Sequence, residues 1–194
     1  MPAELTVIAG CMFSGKSEEL LRLLNRAAIA KLSTIVVKPS IDTRTMDTVQ
    51  SRDGRRATAT VVTRARDIIA ATEKYDVIGI DEAQFFDGEL PEIVLQLYAR
   101  GKRVIVAGLD TDYRGEFFGP MYRIMALPEA EIVKLRAVCM RCGANATRTH
   151  RKNQNGEQIE VGDVDKYEAL CYRCYTTTTT HRAAPVVVAN VAAR

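Results

Sequence analysis

Short, almost entirely apolar segments alternate with segments of helical periodicity up to about residue 137. Four apolar segments are rich in Val and Ile, as in strands buried on both faces of a parallel sheet. They are LTVIAG (5–10), STIVVKP (33–39), YDVIGID (75–81) and RVIVAGL (103–109). Between them, apolar residues recur at helical spacing in segments 16–31, 65–74 and 90–102. This alternation predicts an open α/β sheet with right-handed crossover connections.

The pattern changes after Val138. Residues 139–174 contain two Cys-x-x-Cys pairs and no long apolar segment, and the C-terminal segment is low in complexity. We therefore predict three regions: an α/β domain over 1–138, a small domain over 139–175 and a flexible tail over 176–194. Within the tail, PVVVANV could pair as an additional strand.

The composition is that of a globular protein and argues against several classes of function. The 194 residues are 47% hydrophobic and 26% charged, with a net charge of +3. Overall charge therefore gives no case for binding to nucleic acid or to a membrane. No apolar segment approaches the roughly 20 residues of a membrane-spanning helix, and the N-terminus lacks a signal-peptide pattern. We expect a cytoplasmic protein whose cysteines stay reduced.

A glycine-rich segment between the first strand and the first helix predicts a phosphate-binding loop. The segment GCMFSGKS matches G-x-x-x-x-G-K-[ST] at every fixed position. Backbone N–H groups of such a loop bind phosphate oxygens, so ATP with Mg²⁺ is the expected ligand. Lys16 would reach the β- and γ-phosphates, and the Ser17 hydroxyl would ligate Mg²⁺. The candidate ATP-binding residues are Gly10, Met12, Phe13, Ser14, Gly15, Lys16 and Ser17.

Two adjacent carboxylates, Asp81 and Glu82, follow the third predicted strand. Asp81 ends a buried strand, where it can hold Mg²⁺ or its water ligands. Glu82 is the candidate general base, but these residues alone do not tell whether it acts on water or on a substrate hydroxyl. The DEAQ segment also resembles a helicase motif, yet 194 residues are too few for a second motor domain.

Four of the five cysteines form the pairs Cys139/Cys142 and Cys171/Cys174. Two such pairs at this separation favour a closed, structural zinc site over a disulfide or a redox pair in a reducing compartment. Zinc would tie the base of the polar loop 143–170, which lacks an apolar core of its own. The predicted fold class is thus α/β: a P-loop (RecA-like), mostly parallel sheet flanked by helices, plus a small zinc-ribbon lasso domain.

Taken together, these motifs resemble one family over about residues 5–175. The matching segments are MFSGKS in the loop, DTR at 42–44, IDEAQFF, GLDTDYRGEFFG, and VGDVDKY between the cysteine pairs. In this order they resemble the zinc-containing, cytosolic-type (type II) thymidine kinases. The resemblance implies transfer of the γ-phosphate of ATP to the 5′-hydroxyl of thymidine, or of deoxyuridine, giving dTMP for deoxynucleotide salvage and DNA synthesis.

The resemblance also implies roles for individual residues. Glu82 would be the general base for the 5′-hydroxyl, and Arg44 would stabilise charge on the transferred phosphoryl group. Asp42 would join Ser17 and Asp81 around Mg²⁺. An apolar slot with a few fixed polar groups suits a pyrimidine. The residues implied to form that slot are Met12, Phe85, Leu109, Tyr113, Phe118, Thr149, Val161, Gly162 and Tyr167.

Other expectations concern assembly, regulation and one alternative function. The resemblance implies a homotetramer that is inhibited by thymidine triphosphate. The alternative is a P-loop ATPase with a nucleic-acid-binding zinc ribbon, but the acidic segment GEQIEVGDVDKYE speaks against a ribbon that binds nucleic acid. Cys11 either fills space in the phosphate loop or forms a reactive thiolate near Lys16.

Overall fold

The computed structural model describes residues 3–42, 48–50, 56–153 and 164–179 and contains one large sheet with helices on both faces. The helices are α1 (Lys16–Ile29), α2 (Asp67–Thr72), α3 (Leu90–Ala99), α4 (Met121–Met125) and α5 (Tyr172–Thr179). The strands are β1 (Glu4–Ala9), β2 (Thr34–Pro39), β3 (Thr48–Gln50), β4 (Arg56–Val62), β5 (Val77–Ile80), β6 (Arg103–Gly108), β7 (Ala130–Lys134), β8 (Ala137–Val138), β9 (Asn145–Ala146), β10 (Arg148–Arg151) and β11 (Tyr167–Leu170). No helix in these ranges is long and apolar enough to cross a membrane.

The large sheet has the strand order β3-β4-β2-β5-β6-β1-β7. All neighbouring pairs are parallel except β3 with β4. The mostly parallel α/β architecture is therefore confirmed. The four predicted strands are β1, β2, β5 and β6, which occupy the centre of the sheet. Since they run parallel, the segments that follow β1, β5 and β6 meet at one edge of the sheet.

Helices α1 and α3 cover opposite faces of the sheet. Leu20, Leu24 and Ala27 on α1 are buried in one apolar cluster, whereas Leu90 and Val94 on α3 are buried in another. These positions follow the helical spacing of the sequence, so each helix presents an apolar stripe to the sheet. Helix α1 begins at Lys16, at the end of the glycine-rich loop, and thereby places that loop directly above β1.

The structure adds elements that the sequence pattern did not predict. They include the outer strands β3, β4 and β7, helix α4, and two small antiparallel sheets formed by β8–β9 and β10–β11.

Helix α5 extends to Thr179, so it includes the first four residues of the segment that the sequence pattern assigned to the tail. There, threonine hydroxyls donate to carbonyl groups one turn earlier, as Thr178 does to Cys174. The segment PVVVANV lies outside the described residues, and the three-region division stays a prediction.

Candidate active site and metal centre

The glycine-rich loop follows β1 in a tight turn. A Cβ atom at Gly10 would lie 2.6 Å from the Leu135 carbonyl oxygen and 2.8 Å from Ser14 Oγ. Phe13 and Gly15 both have positive φ angles, of 68° and 84°. Only glycine fits position 10, and the left-handed residues turn the chain so that it enters α1 at once.

Two polar side chains of the loop suit an anionic ligand. Lys16 Nζ donates to the Cys11 carbonyl oxygen at 2.8 Å. Burial lowers the pKa of Lys16, against the opposing effect of the nearby Glu82 and Asp81 charges. The Ser14 hydroxyl is buried and has no hydrogen-bond partner among the described residues. The loop therefore offers a cation and an unpaired hydroxyl at the position where phosphates are expected.

Ser17 and Asp81 lie side by side, as the predicted magnesium site requires. Ser17 Oγ is 3.1 Å from one carboxylate oxygen of Asp81 and 3.3 Å from the other. Burial and the neighbouring Glu82 charge raise the pKa of Asp81 to about 7. A buried carboxylate beside a second carboxylate is stabilised by a cation, so this pair of oxygen ligands fits Mg²⁺.

Asp42 is the third predicted magnesium residue. It is 7% exposed and forms an ion pair with the buried Lys38, with Nζ and Oδ2 3.5 Å apart. Both side chains belong to the segment at the end of β2, which is the neighbour of β5. Arg44 lies outside the described residues, so its predicted role stays a prediction.

Glu82 directly follows Asp81 and has an unusual backbone conformation. Its φ of 51° is in the left-handed region, which non-glycine residues rarely adopt. The side chain is half-buried, and its carboxylate accepts a hydrogen bond from Gln84 Nε2 at 2.6 Å. The preceding residue, Asp81, contacts Ser17 of the phosphate loop, so the predicted base lies close to that loop. Such local strain is typical of functional sites.

Several predicted pocket residues surround the ends of β5 and β6. Phe85 and Phe118 make an edge-to-face contact with ring centroids 5.5 Å apart. Leu109 and Tyr113 are buried as well, in the segment that follows β6. The Phe85 backbone N–H donates to the Glu82 carbonyl oxygen at 3.0 Å, so this aromatic pair lies beside the predicted base.

The hairpin β10–β11 carries the next part of the predicted pocket. Arg151 pairs with Tyr167 and Thr149 pairs with Ala169, so Thr149 and Tyr167 share one face of the hairpin. The Thr149 hydroxyl accepts a hydrogen bond from the Met12 backbone N–H at 3.0 Å. The hairpin thus contacts the phosphate loop directly. Val161 and Gly162 lie outside the described residues.

Sequence reasoning missed three residues that join these parts. Gln84 links Glu82 to Leu109, through hydrogen bonds at both ends of its side-chain amide. Arg151 is only 2% exposed, and its guanidinium lies 5.2 Å from the centre of the Tyr113 ring. No periodicity marks this residue, because it lies in a short polar segment.

Tyr175 is the third of these residues. Its hydroxyl donates to the Tyr113 carbonyl oxygen at 2.8 Å. It is in α5, next to a cysteine of the second pair, so α5 connects the cysteine cluster to Tyr113, one of the predicted pocket residues. Nothing in the local sequence signals this contact, since the partners are 62 positions apart.

The four paired cysteines come together at one point. Sulfur atoms of Cys139, Cys142, Cys171 and Cys174 all lie within 4.8 Å of one another, and none forms a disulfide. Burial disfavours the Cys139 thiolate, but backbone hydrogen bonds, first that from Cys171, lower its pKa to about 6. Side-chain hydrogen bonds with Cys142 and Cys171 raise the pKa of Cys174 to about 12. Four thiolates this close repel one another unless a cation binds them, so the cluster could hold a metal ion.

Cys11 is separate from this cluster and is 1% exposed. Burial raises the pKa of its thiol, and the nearby Lys16 opposes this effect only in part. Its thiol donates a hydrogen bond to the Ala146 carbonyl oxygen, with sulfur and oxygen 3.5 Å apart. Of the two roles considered for Cys11, its burial in one apolar cluster with Ala137 and Ala146 favours the space-filling role.

Two bacterial thymidine kinases are similar to this chain over most of its length. The thymidine kinase of Bacteroides thetaiotaomicron is 43% identical over 172 residues, which cover 88% of this chain and 86% of that protein. The thymidine kinase of Coprothermobacter proteolyticus is 47% identical over 174 residues, covering 86% of this chain and 87% of that protein.

Among solved structures, domain III of the Thermotoga maritima replication initiation protein DnaA aligns with 69% of this chain and 55% of its own, at 16% identity and a TM-score of 0.42. That likeness supports no functional conclusion. The family model for thymidine kinase matches residues 3–175. By this match, and by the identity to both bacterial enzymes, the chain belongs to the thymidine kinase family.

Proposed function

We propose that this protein transfers the γ-phosphate of ATP to the 5′-hydroxyl of thymidine, giving dTMP for nucleotide salvage. The observation that carries the proposal is the position of Glu82, which directly follows Asp81, whose carboxylate lies 3.1 Å from Ser17 Oγ in the phosphate loop. A general base, a metal ligand and a phosphate-binding cation then occupy one site. Membership of the thymidine kinase family supports thymidine as the acceptor.

Each step of the reaction has a residue in this site. The Glu82 carboxylate accepts the proton of the 5′-hydroxyl while that oxygen forms a bond to the γ-phosphorus. The bond between the γ-phosphorus and the bridging oxygen breaks, and ADP leaves. Lys16 stabilises the charge on the phosphate oxygens, and Arg44 is proposed to assist on the transferred group. Mg²⁺, held by Ser17 and Asp81 with Asp42 nearby, would add positive charge at the same oxygens.

An assay of ATP consumption with different acceptors tests this function. Turnover is expected with thymidine and with deoxyuridine, but not with uridine, deoxycytidine or single-stranded DNA. Turnover that needs no acceptor, or that single-stranded DNA stimulates, would instead mean that Glu82 activates water. The alternative of a P-loop ATPase with a nucleic-acid-binding ribbon would then replace the kinase.

Ser17→Ala is expected to weaken the use of Mg²⁺. The substitution removes the hydroxyl that lies 3.1 Å from Asp81, so the Mg²⁺ concentration for half-maximal activity should rise about 10- to 100-fold. Titration of activity with Mg²⁺ at constant ATP measures this. Ser33→Ala is the matched control, since Ser33 also donates to an aspartate, Asp76, but precedes β2 at the opposite end of the sheet. An unchanged Mg²⁺ requirement in Ser17→Ala would remove Ser17 from the metal site.

The metal of the cysteine cluster is proposed to be zinc. Four thiolates in a closed cluster suit tetrahedral Zn²⁺, which would fix the ribbon and supply no chemistry to the reaction. The ribbon would in turn complete the thymidine pocket, with Thr149, Val161 and Gly162 near the polar edge of the base and Tyr167 against its ring.

Tyr175→Phe is expected to raise the KM for thymidine about fivefold and to leave the KM for ATP unchanged. The substitution removes one hydrogen bond, to the Tyr113 carbonyl, which is worth about 1 kcal/mol. Tyr172→Phe, at a tyrosine of α5 that is 64% exposed, is the control. Steady-state kinetics and zinc content should be measured on both variants. An unchanged KM for thymidine in Tyr175→Phe would show that α5 does not support the pocket.

Assembly, regulation and location complete the proposal. A homotetramer would be checked by sedimentation. Inhibition by thymidine triphosphate would follow if its base and phosphates bind the pocket and the loop together, and it should be competitive with thymidine. The free thiols of the metal cluster suit a reducing compartment, in keeping with the cytoplasm.

A further inference from the structure

Gln84 links the predicted base to Leu109, one of the residues proposed to form the thymidine pocket. Its Nε2 donates to Glu82 Oε2 at 2.6 Å, and its Oε1 accepts from the Leu109 backbone N–H at 2.9 Å. A backbone N–H can only donate, so Leu109 fixes Oε1 on its own side of the amide. The donor end of the amide must then face the carboxylate. The two hydrogen-bond partners therefore determine which end of the amide is the oxygen and which is the nitrogen.

Gln84 is closely packed on several sides. The residue is 2% exposed. A Cβ atom at Gly108 would come within 2.9 Å of Gln84 Oε1 and within 2.7 Å of Met121 Sδ. A Cβ atom at Gly119 would overlap the Gln84 carbonyl oxygen. Two glycines thus provide the space for this glutamine, and the packing holds its rotamer.

Glu82 needs such a constraint because of its charged neighbours. Lys16 and Asp81 carry opposite charges and are both close to Glu82, so Coulomb forces alone do not fix the orientation of its carboxylate. General base catalysis requires the carboxylate to lie within hydrogen-bond reach of the hydroxyl that it deprotonates. A neutral donor held rigidly on the pocket side can set that orientation without changing the charge of the site.

We propose that Gln84 is a positioning residue for phosphoryl transfer: it holds the Glu82 carboxylate in the orientation that accepts the acceptor's proton, and it ties that orientation to Leu109 in the pocket wall. The inference rests on the proposed function of Glu82 as the base. Gln84 itself takes no proton and touches no phosphate in this role.

A double-mutant cycle separates positioning from a general structural role. Single-turnover phosphorylation of thymidine, with labelled ATP, would be measured for Gln84→Leu, Glu82→Gln and the double variant. Gln84→Leu is expected to lower the rate about 10- to 100-fold. In the Glu82→Gln background the same change should have no further effect, because Gln84 then has no base to orient. If the two losses multiply instead, Gln84 acts independently of Glu82 and the proposal is overturned.

Gln84→Glu provides a second test that preserves the packing. Glutamate keeps the volume of glutamine and an acceptor for the Leu109 N–H, but it places a carboxylate against Glu82. The rate of phosphoryl transfer should fall while the KM for thymidine stays unchanged, since the pocket wall is retained. Gln96→Leu, at an exposed position of α3, is the control for glutamine replacement and should have no effect. Gln84→Glu also carries the test if melting curves show that Gln84→Leu does not fold.

Failure of the positioning role can be distinguished from failure of the proposed function. If Glu82→Gln keeps the turnover of the unmodified protein, the assignment of the base is wrong. If Glu82→Gln is inactive while both Gln84 variants phosphorylate thymidine at the unmodified rate, only the role of Gln84 is wrong.

Discussion

Replacement of Glu82 by glutamine is expected to lower kcat for thymidine phosphorylation by about 10²- to 10⁴-fold. The amide has nearly the same shape as the carboxylate but cannot accept a proton. The fold should be preserved, because the half-buried Glu82 side chain is replaced by a group of equal size. ATP binding should persist, since Lys16 and the backbone groups of the phosphate loop are unchanged. The loss should therefore fall on kcat, with KM values for both substrates near their original values.

Steady-state kinetics with thymidine and ATP, together with calorimetric ATP binding, would measure the effect of Glu82→Gln. Glu129→Gln is the matched control, because Glu129 is an exposed glutamate in the turn before β7. Its kinetics should equal those of the unmodified protein. Glu82→Gln with near-normal kcat would mean that another group takes the proton. Loss of ATP binding in that variant would mean that Glu82 supports the loop rather than the chemistry.

Replacement of Cys142 by serine is expected to cause the largest loss of stability. It removes one of four sulfur atoms that lie within 4.8 Å of one another. Because binding of a structural metal contributes directly to folding, the change should cost about 4 kcal/mol. For a chain of this length, that loss corresponds to a melting temperature lower by about 8–16 °C. The zinc content should fall from about one atom per chain, as a Cys₄ site implies, to a small fraction of that value.

Metal analysis and thermal unfolding would be compared between Cys142→Ser and Cys11→Ser. Cys11 is also a free cysteine, but its sulfur contacts the Ala146 carbonyl and not the cluster. Cys11→Ser should keep its zinc. Unchanged zinc content and melting temperature in Cys142→Ser would contradict a structural metal. Because Tyr175 in α5 contacts Tyr113, the Cys142 variant should also bind thymidine more weakly, even at temperatures where it remains folded.

The sequence predicted the centre of the sheet and missed its edges, for a physical reason. Strands β1, β2, β5 and β6 have neighbours on both sides, and their segments are almost entirely apolar. Strand β7 lies at one edge, and in its sequence AEIVK the glutamate and the isoleucine are exposed. Strand β4 is next to the other edge and alternates threonine with alanine and valine. Such mixed patterns do not distinguish an outer strand from a loop.

Sequence reasoning identified candidate site residues where the chemistry is local in sequence. The phosphate loop, the Asp81–Glu82 pair and the two cysteine pairs each occupy a few consecutive residues with fixed spacing. The links between them are not local: Thr149 meets the Met12 backbone across 137 positions, and Gln84 meets Leu109 across 25. Each link uses an ordinary polar residue and a backbone group, so no spacing in the sequence reveals it.

Gly108, Gly119 and Gln84 together limit how this protein can vary. Any side chain at either glycine would meet the glutamine or its backbone, and loss of the glutamine would leave the buried Leu109 N–H without its partner. A saturation library would therefore show sharp epistasis: a larger residue at position 108 could become tolerable only after both Gln84 and Met121 had been replaced by smaller residues. At position 119 a side chain would overlap the Gln84 backbone, so no change of side chain at position 84 would make it tolerable. Few combinations of residues should therefore be compatible with these three positions, although none of the three residues carries a charge.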